Sequence, residues 1–177
     1  HTAGNLALGS LGWAEGCVRE AVAHTLTAAA NPPTNAQLRF EIALALVRVG
    51  EGLAARRLLD TVPAIPQSDW RVLVNVAGLM RKLGDYAAAS SVMEQALAQG
   101  ANGSEVQHFR SVLYTGQGRF AEAEQALEAC LRLAPGHAQA MLDRSLLRKQ
   151  AFAENHLEDL DAARARGSAS SHGRALL

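Results

Sequence analysis

The sequence predicts an all-α chain built from a helix pair repeated every 34 residues. The clearest copy surrounds Leu83-Gly84-Asp85-Tyr86. Before the glycine, Val72, Val76, Leu79, Met80 and Leu83 fall three or four apart, and after it Ala89, Val92, Met93, Ala96 and Leu97 do the same. Two antiparallel helices joined by a glycine turn follow from that spacing. The turn glycine recurs as Gly16, Gly50, Gly84 and Gly118, although glycine is only 15 of 177 residues. Chance would place three further glycines so on the order of once in a thousand trials for one chosen period. Five residues after each glycine stands an alanine (Ala21, Ala55, Ala89, Ala123), and seven before it a small residue (Gly9, Ala43, Ala77, Ser111). Small residues at those places are what a closely packed helix pair, repeated, requires.

Residues 2–35 form the first unit, with Leu6, Leu8, Leu11 and Trp13 in a glycine-containing first helix and Val18, Val22 and Leu26 in the second. Asn31-Pro32-Pro33 stops it, because proline lacks the amide hydrogen a helix interior needs, and Thr34-Asn35 caps a new helix starting near Ala36. The second unit, 36–69, shows Leu38, Ile42, Leu46 and Val49, then Leu53, Leu58, Leu59 and Val62 beyond Gly50-Glu51-Gly52, with Pro63 and Pro66 shortening its second helix. The third, 70–103, starts from Ser68 or Asp69 as cap and ends in Gln99-Gly100-Ala101-Asn102-Gly103, where glycine relieves the left-handed exit from a helix. The fourth, 104–137, turns at Gly118-Arg119-Phe120 and closes on Leu133-Ala134-Pro135-Gly136. All five prolines fall at unit ends, which supports the register independently, since none was used to find it. The fifth stretch, 138–171, keeps the length but carries Phe152 in place of the turn glycine and Leu157 in place of the alanine. Its second helix, about 153–166, has the narrow stripe Ala153, Leu157 and Leu160 expected of a last helix that faces water. Gly167-Ser168-Ala169-Ser170-Ser171 then leads into a tail or linker, 172–177.

A 34-residue helix-turn-helix unit with a small residue in its first helix, a glycine-aromatic turn (Gly84-Asp85-Tyr86, Gly118-Arg119-Phe120), then alanine and a closing proline (Pro33, Pro135) resembles the tetratricopeptide repeat. The likeness covers roughly residues 2–171. It departs from the family pattern where a first-helix tryptophan would stand, which is Asn5, Arg39, Leu73, Gln107 and Met141 here, and at the turn aromatic, which is Val18 and Gly52 in the first two units. The resemblance implies a right-handed solenoid of about five units that binds a protein or peptide and catalyses nothing. A second, short resemblance runs from Leu146 to Leu160 and is to the segment that follows the repeats in bacterial sulfotransferases carrying an N-terminal tetratricopeptide array. It implies instead a docking or regulatory region of a larger enzyme, with the catalytic domain beyond Leu177.

Seventeen basic and seventeen acidic residues cancel, so no long-range field draws in nucleic acid or an anionic membrane. The longest purely apolar run, Ile42 to Val47, is far short of the roughly 20 residues that span a bilayer. Cys17 and Cys130 lie more than three units apart and are expected as small buried hydrophobes without a disulfide, which favours a reducing, cytoplasmic compartment. Because the chain opens at His1 without methionine, a targeting signal removed in processing stays possible. The six histidines show no metal-ligand spacing, and no phosphate loop or nucleophile elbow occurs. Neither metal nor cofactor is expected. Glu154, Glu158, Asp159 and Asp161 interleave with Arg164 and Arg166 as solvated ion pairs, and His156 has no nucleophile near it in the pattern.

What remains is binding. In this family the first helices of successive units line a concave groove. By register the groove takes the ladder Leu6, Phe40, Val74, His108 and Leu142, together with Arg48, Arg71, Asn75, Gly78, Arg81, Lys82, Val112 and Thr115. Four cations beside Phe40 and Val74 suit an extended segment with acidic and apolar side chains, unless Glu41, Glu105 and solvent neutralise them. One family specialisation clamps a C-terminal carboxylate; Asn75 matches its middle asparagine, but Phe40, Leu44, Glu105 and Phe109 at the flanking positions cannot hold a carboxylate. Self-association is a third possibility.

Overall fold

The computed structural model describes residues 1–64, 69–147 and 161–162. Among them lie nine α-helices and no strand: α1 (Thr2–Ala14), α2 (Val18–Ala30), α3 (Ala36–Arg48), α4 (Gly52–Leu59), α5 (Trp70–Lys82), α6 (Tyr86–Ala98), α7 (Ser104–Gly116), α8 (Phe120–Leu133) and α9 (Ala138–Leu146). The odd-numbered helices therefore start at residues 2, 36, 70, 104 and 138, and the even-numbered ones at 18, 52, 86 and 120. The chain forms two compact units, His1–Gly100 and Ala101–Leu177. In the first, α1 packs on α2, α3 on α4 and α5 on α6, with α3 also against α1 and α5; in the second, α7 packs on α8 and α8 on α9.

The turns repeat atom for atom. Gly16, Gly50, Gly84 and Gly118 all have positive φ, 78°, 88°, 84° and 73°, a conformation a Cβ would strain. The residue after each glycine donates its amide to the carbonyl five residues back: Cys17 to Gly12, Glu51 to Leu46, Asp85 to Met80 and Arg119 to Tyr114, at 2.8 to 3.0 Å. That bond closes the last orphan carbonyls of the first helix and reverses the chain into the second. Several helix starts are tied down by side chains. Asn35 accepts from Leu38 N, Asp69 from Arg71 N and Asp85 from Ala88 N, so of the two candidate caps at the third unit Asp69 makes the bond.

The small residues expected at the helix contact are buried. Ala21, Ala55, Ala89 and Ala123 are fully enclosed, as are Ala43 and Ala77, while Gly9 and Ser111 are buried as well. The core of the first unit is built on Ile42, Leu46, Leu59, Leu73, Val76, Met80 and Met93. In the second unit Leu127, Cys130 and Ala140 pack together, with Leu131 and Leu147 against them.

The apolar residues of the first unit lie mostly outward, and one apolar position of the second is corrected. Leu8, Leu11 and Trp13 in α1 are 49%, 53% and 39% exposed, and its buried residues are Gly9 and Gly12. A Cβ built at Gly9 would stand 2.6 Å from Thr25 Oγ1, so α1 and α2 are too close for a leucine between them. In α2 the buried residues are Ala21, Thr25 and Ala28, and Val18 and Leu26 face out. Leu53, placed in the core by spacing, is 81% exposed, because the eight-residue α4 has room on its inner side only for Ala55, Leu58 and Leu59. The fifth unit's second helix with Phe152, Leu157 and the carboxylates around His156, the tail at 172–177, and the cap candidate Ser68 with Pro66 lie outside the described residues, apart from Asp161 and Ala162.

Candidate functional site

Helix α5 is divided along its length. Val72, Leu73, Val76, Ala77, Leu79 and Met80 are buried, while Arg71, Val74, Asn75, Gly78, Arg81 and Lys82 form one continuous stripe at helical spacing and none of them is buried. Asp69 fixes the start of that stripe: its Oδ1 accepts from the Arg71 amide at 2.9 Å, and its Oδ2 lies 3.5 Å from Arg71 Nη1. The Arg71 guanidinium also lies 4.5 Å from the centre of the Trp70 ring, which holds the cation against its own helix end. Helix α3 packs beside α5 and carries Phe40, half-buried, and Arg48, exposed at its last turn. The structure thus gathers Phe40, Arg48, Arg71, Val74, Asn75, Gly78, Arg81 and Lys82 on two adjacent helices of the first unit.

His108, Val112 and Thr115 form a row of their own on α7 in the second unit, half-buried to exposed. Thr115 Oγ1 donates to the Ser111 carbonyl at 2.9 Å, and His108 is drawn toward α9. Of the carboxylates expected to neutralise the arginines, Glu41 accepts from Gln37 at 2.9 Å, and Glu105 lies 3.2 Å from His137.

Linear spacing showed no metal-ligand set, yet folding brings Glu105, His108 and His137 together, one possible ligand atom from each lying within 4.8 Å of the others. Glu105 and His108 share a face of α7, three residues apart. His137 is the N-cap of α9, its Nδ1 accepting from the Ala140 amide at 3.2 Å. His108 Nε2 is 2.8 Å from Asp143 Oδ2, and the two imidazole rings are 4.9 Å apart. The 34-residue register held the signal: residue 137 precedes α9 as 103 precedes α7, so its side chain can meet the first turn of α7 one unit earlier.

An open hollow of about 460 Å³ in the first unit is lined by Gly50, Glu51, Gly52, Leu53, Arg56 and Leu83. It sits at the turns, and its one cation, Arg56, is already bonded to Asp60 and Asp85.

Both cysteines are free; Cys130 is buried as expected, but Cys17, at the first turn, is exposed. Burial first, and then the negative charge of Glu105, push the Cys130 thiol up to about 11. Alkylation of the native chain near pH 8 is therefore expected to stop at one thiol, Cys17, with Cys130 reacting only after urea unfolding. Rapid modification of both in the folded protein, read by mass spectrometry, would contradict this burial.

Residues 104–137, which hold α7, the glycine turn and α8, match the family model of the tetratricopeptide repeat. The chain has a tetratricopeptide repeat fold. Solved structures agree along nearly its whole length. The C-terminal part of a tetratricopeptide repeat-containing protein from Cytophaga hutchinsonii is 14% identical with a TM-score of 0.70, over 94% of this chain and 69% of that one. YrrB, described as a tetratricopeptide repeat protein with an unusual peptide-binding site, is 17% identical with a TM-score of 0.64, over 96% and 88%. MamA from Desulfovibrio magneticus RS-1 is 14% identical with a TM-score of 0.63, over 99% and 94%. At such identities the likeness is one of fold. No curated protein matches the chain, and the resemblance to sulfotransferases finds no support in these comparisons; most of its residues, 148–160, lie outside the described ones. No helix among the described residues is long and apolar enough to cross a membrane.

Proposed function

We propose that the chain is a non-catalytic scaffold whose α3–α5 wall docks an extended protein or peptide segment bearing acidic and apolar side chains. The observation that carries this reading is the division of α5, whose buried side anchors the wall while its opposite stripe leaves Arg71, Asn75 and Lys82 exposed and Val74, Gly78 and Arg81 half-buried. On that stripe Arg71, Arg81 and Lys82 supply positive charge and Asn75 a side-chain amide. Val74, with Phe40 on α3, supplies apolar contact, and Gly78 leaves the backbone approachable. Arginine suits such a surface because its planar guanidinium meets a carboxylate with two parallel donors. The row His108, Val112 and Thr115 would serve the same purpose on α7. In this reading residues 2–171 are one run of 34-residue units, the last closing the array.

Replacing Arg71 and Arg81 together by alanine is expected to weaken binding of a partner recovered by affinity capture at least tenfold, about 1.4 kcal/mol, with the helical circular-dichroism signal unchanged. Added salt weakens the unaltered chain in the same direction, since exposed charges are screened over about 10 Å at 0.1 M. A double variant that holds its partner as tightly as the parent would remove this wall as the binding site.

A further inference from the structure

We propose that Glu105, His108 and His137 hold a divalent transition metal of the zinc class where α7 meets the start of α9. Two imidazoles and a carboxylate are a donor set zinc takes readily, whereas calcium and magnesium prefer all-oxygen shells and copper(I) prefers sulfur. With zinc–ligand distances near 2.0–2.2 Å, tetrahedral ligands stand roughly 3.3 Å from one another. His137 Nε2 and Glu105 Oε1 are already 3.2 Å apart, and the set lies within 4.8 Å. Glu105, whose side chain is 84% exposed, adjusts at little cost, and the same exposure gives an ion its way in.

A second observation points to a ligand. His137 Nε2 is buried and makes no hydrogen bond; Glu105 Oε1 is near it but out of line for one. A buried ring nitrogen left in that state is unfavourable, and a metal bond would satisfy it. The surroundings are those of a metal shell. Asp143 Oδ1 accepts from Gln139 at 2.7 Å, which turns Oδ2 toward His108 Nε2, 2.8 Å away. An ion taking His108 Nε2 would send the proton shared there to solvent, with Asp143 left as a nearby carboxylate outside the three-ligand set.

Capture also has a recognisable consequence. With Nδ1 accepting from the Ala140 amide, the neutral His137 ring carries its proton on Nε2. Metal at Nε2 moves that proton to Nδ1 and breaks the cap on α9. A single 3.2 Å capping bond is weak beside a metal–imidazole bond, so the exchange favours the ion. Without metal, His108 keeps its bond to Asp143, and Glu105 only lies beside His137.

The test is calorimetric titration of the chelator-dialysed full chain with zinc chloride, alongside His137→Asn and His108→Gln. Asparagine keeps the cap of α9 but does not replace the zinc ligand, so His137→Asn separates binding from folding. One zinc site is expected, at least tenfold weaker in each variant, and the Ala140 amide resonance shifts with zinc in the parent but not in His137→Asn. No uptake at roughly 100 µM zinc, where a micromolar site saturates, overturns the proposal. So does uptake equally tight in both variants, which would put the ion on other histidines such as His1, or an Ala140 amide that zinc leaves unmoved.

Discussion

Truncating Leu73 to alanine is expected to lower the stability of the first unit by about 2–5 kcal/mol, through lost transfer of the side chain out of water and the cavity left behind. Leu73 is fully buried near the start of α5, with Val72, Val76 and Ala77 on the same buried side. It stands where the resembled family pattern has a tryptophan, so this unit has kept a large apolar group there by other means. Set against a total of about 5–15 kcal/mol for a domain, such a loss is a large share of what holds the fold. The companion change Leu53→Ala, at a residue 81% exposed, is expected to stay within about 0.5 kcal/mol. Urea titrations followed by circular dichroism compare the two, and equal midpoints would mean that α5 does not face the core as described.

Enlarging a buried small residue should be costly too. Ala89→Leu is expected to destabilise by about 1–3 kcal/mol, by forcing extra carbons into the contact between α5 and α6. Ala89 and Ala77 are both fully enclosed, and the start of α6 cannot shift freely because Asp85 caps it through the Ala88 amide at 2.9 Å. Ala98→Leu, on the exposed end of the same helix, should change little. If the two variants melt together, the alanine of the 34-residue pattern does not mark the close approach of the helices.

How much of this was visible beforehand depends on the range of the interaction. Turn glycines, capping residues and the small residues at helix contacts act within a few positions of one another, so Gly84, Asn35 and Ala89 could be assigned from the chain alone. The α5 stripe was legible for the same reason, since a helix with Leu73, Val76 and Met80 on one side has to show Arg71, Asn75 and Lys82 on the other. In α1, spacing could not decide. Its leucines and its glycines both recur at helical intervals, and only the approach of Thr25 to within 2.6 Å of a Cβ at Gly9 selects the glycine side.

The sequence by itself therefore determined the helix pair, its period and its turns, because backbone conformation and local packing repeat with the residues that cause them. Which apolar side of a helix is buried, and the meeting of Glu105, His108, His137 and Asp143, were decided only by tertiary structure. His108 and Asp143 are 35 residues apart, and one repeat of separation puts them beside each other only when successive helices stack in register. No local rule contains that contact: the distance that matters runs between helices, not along the chain.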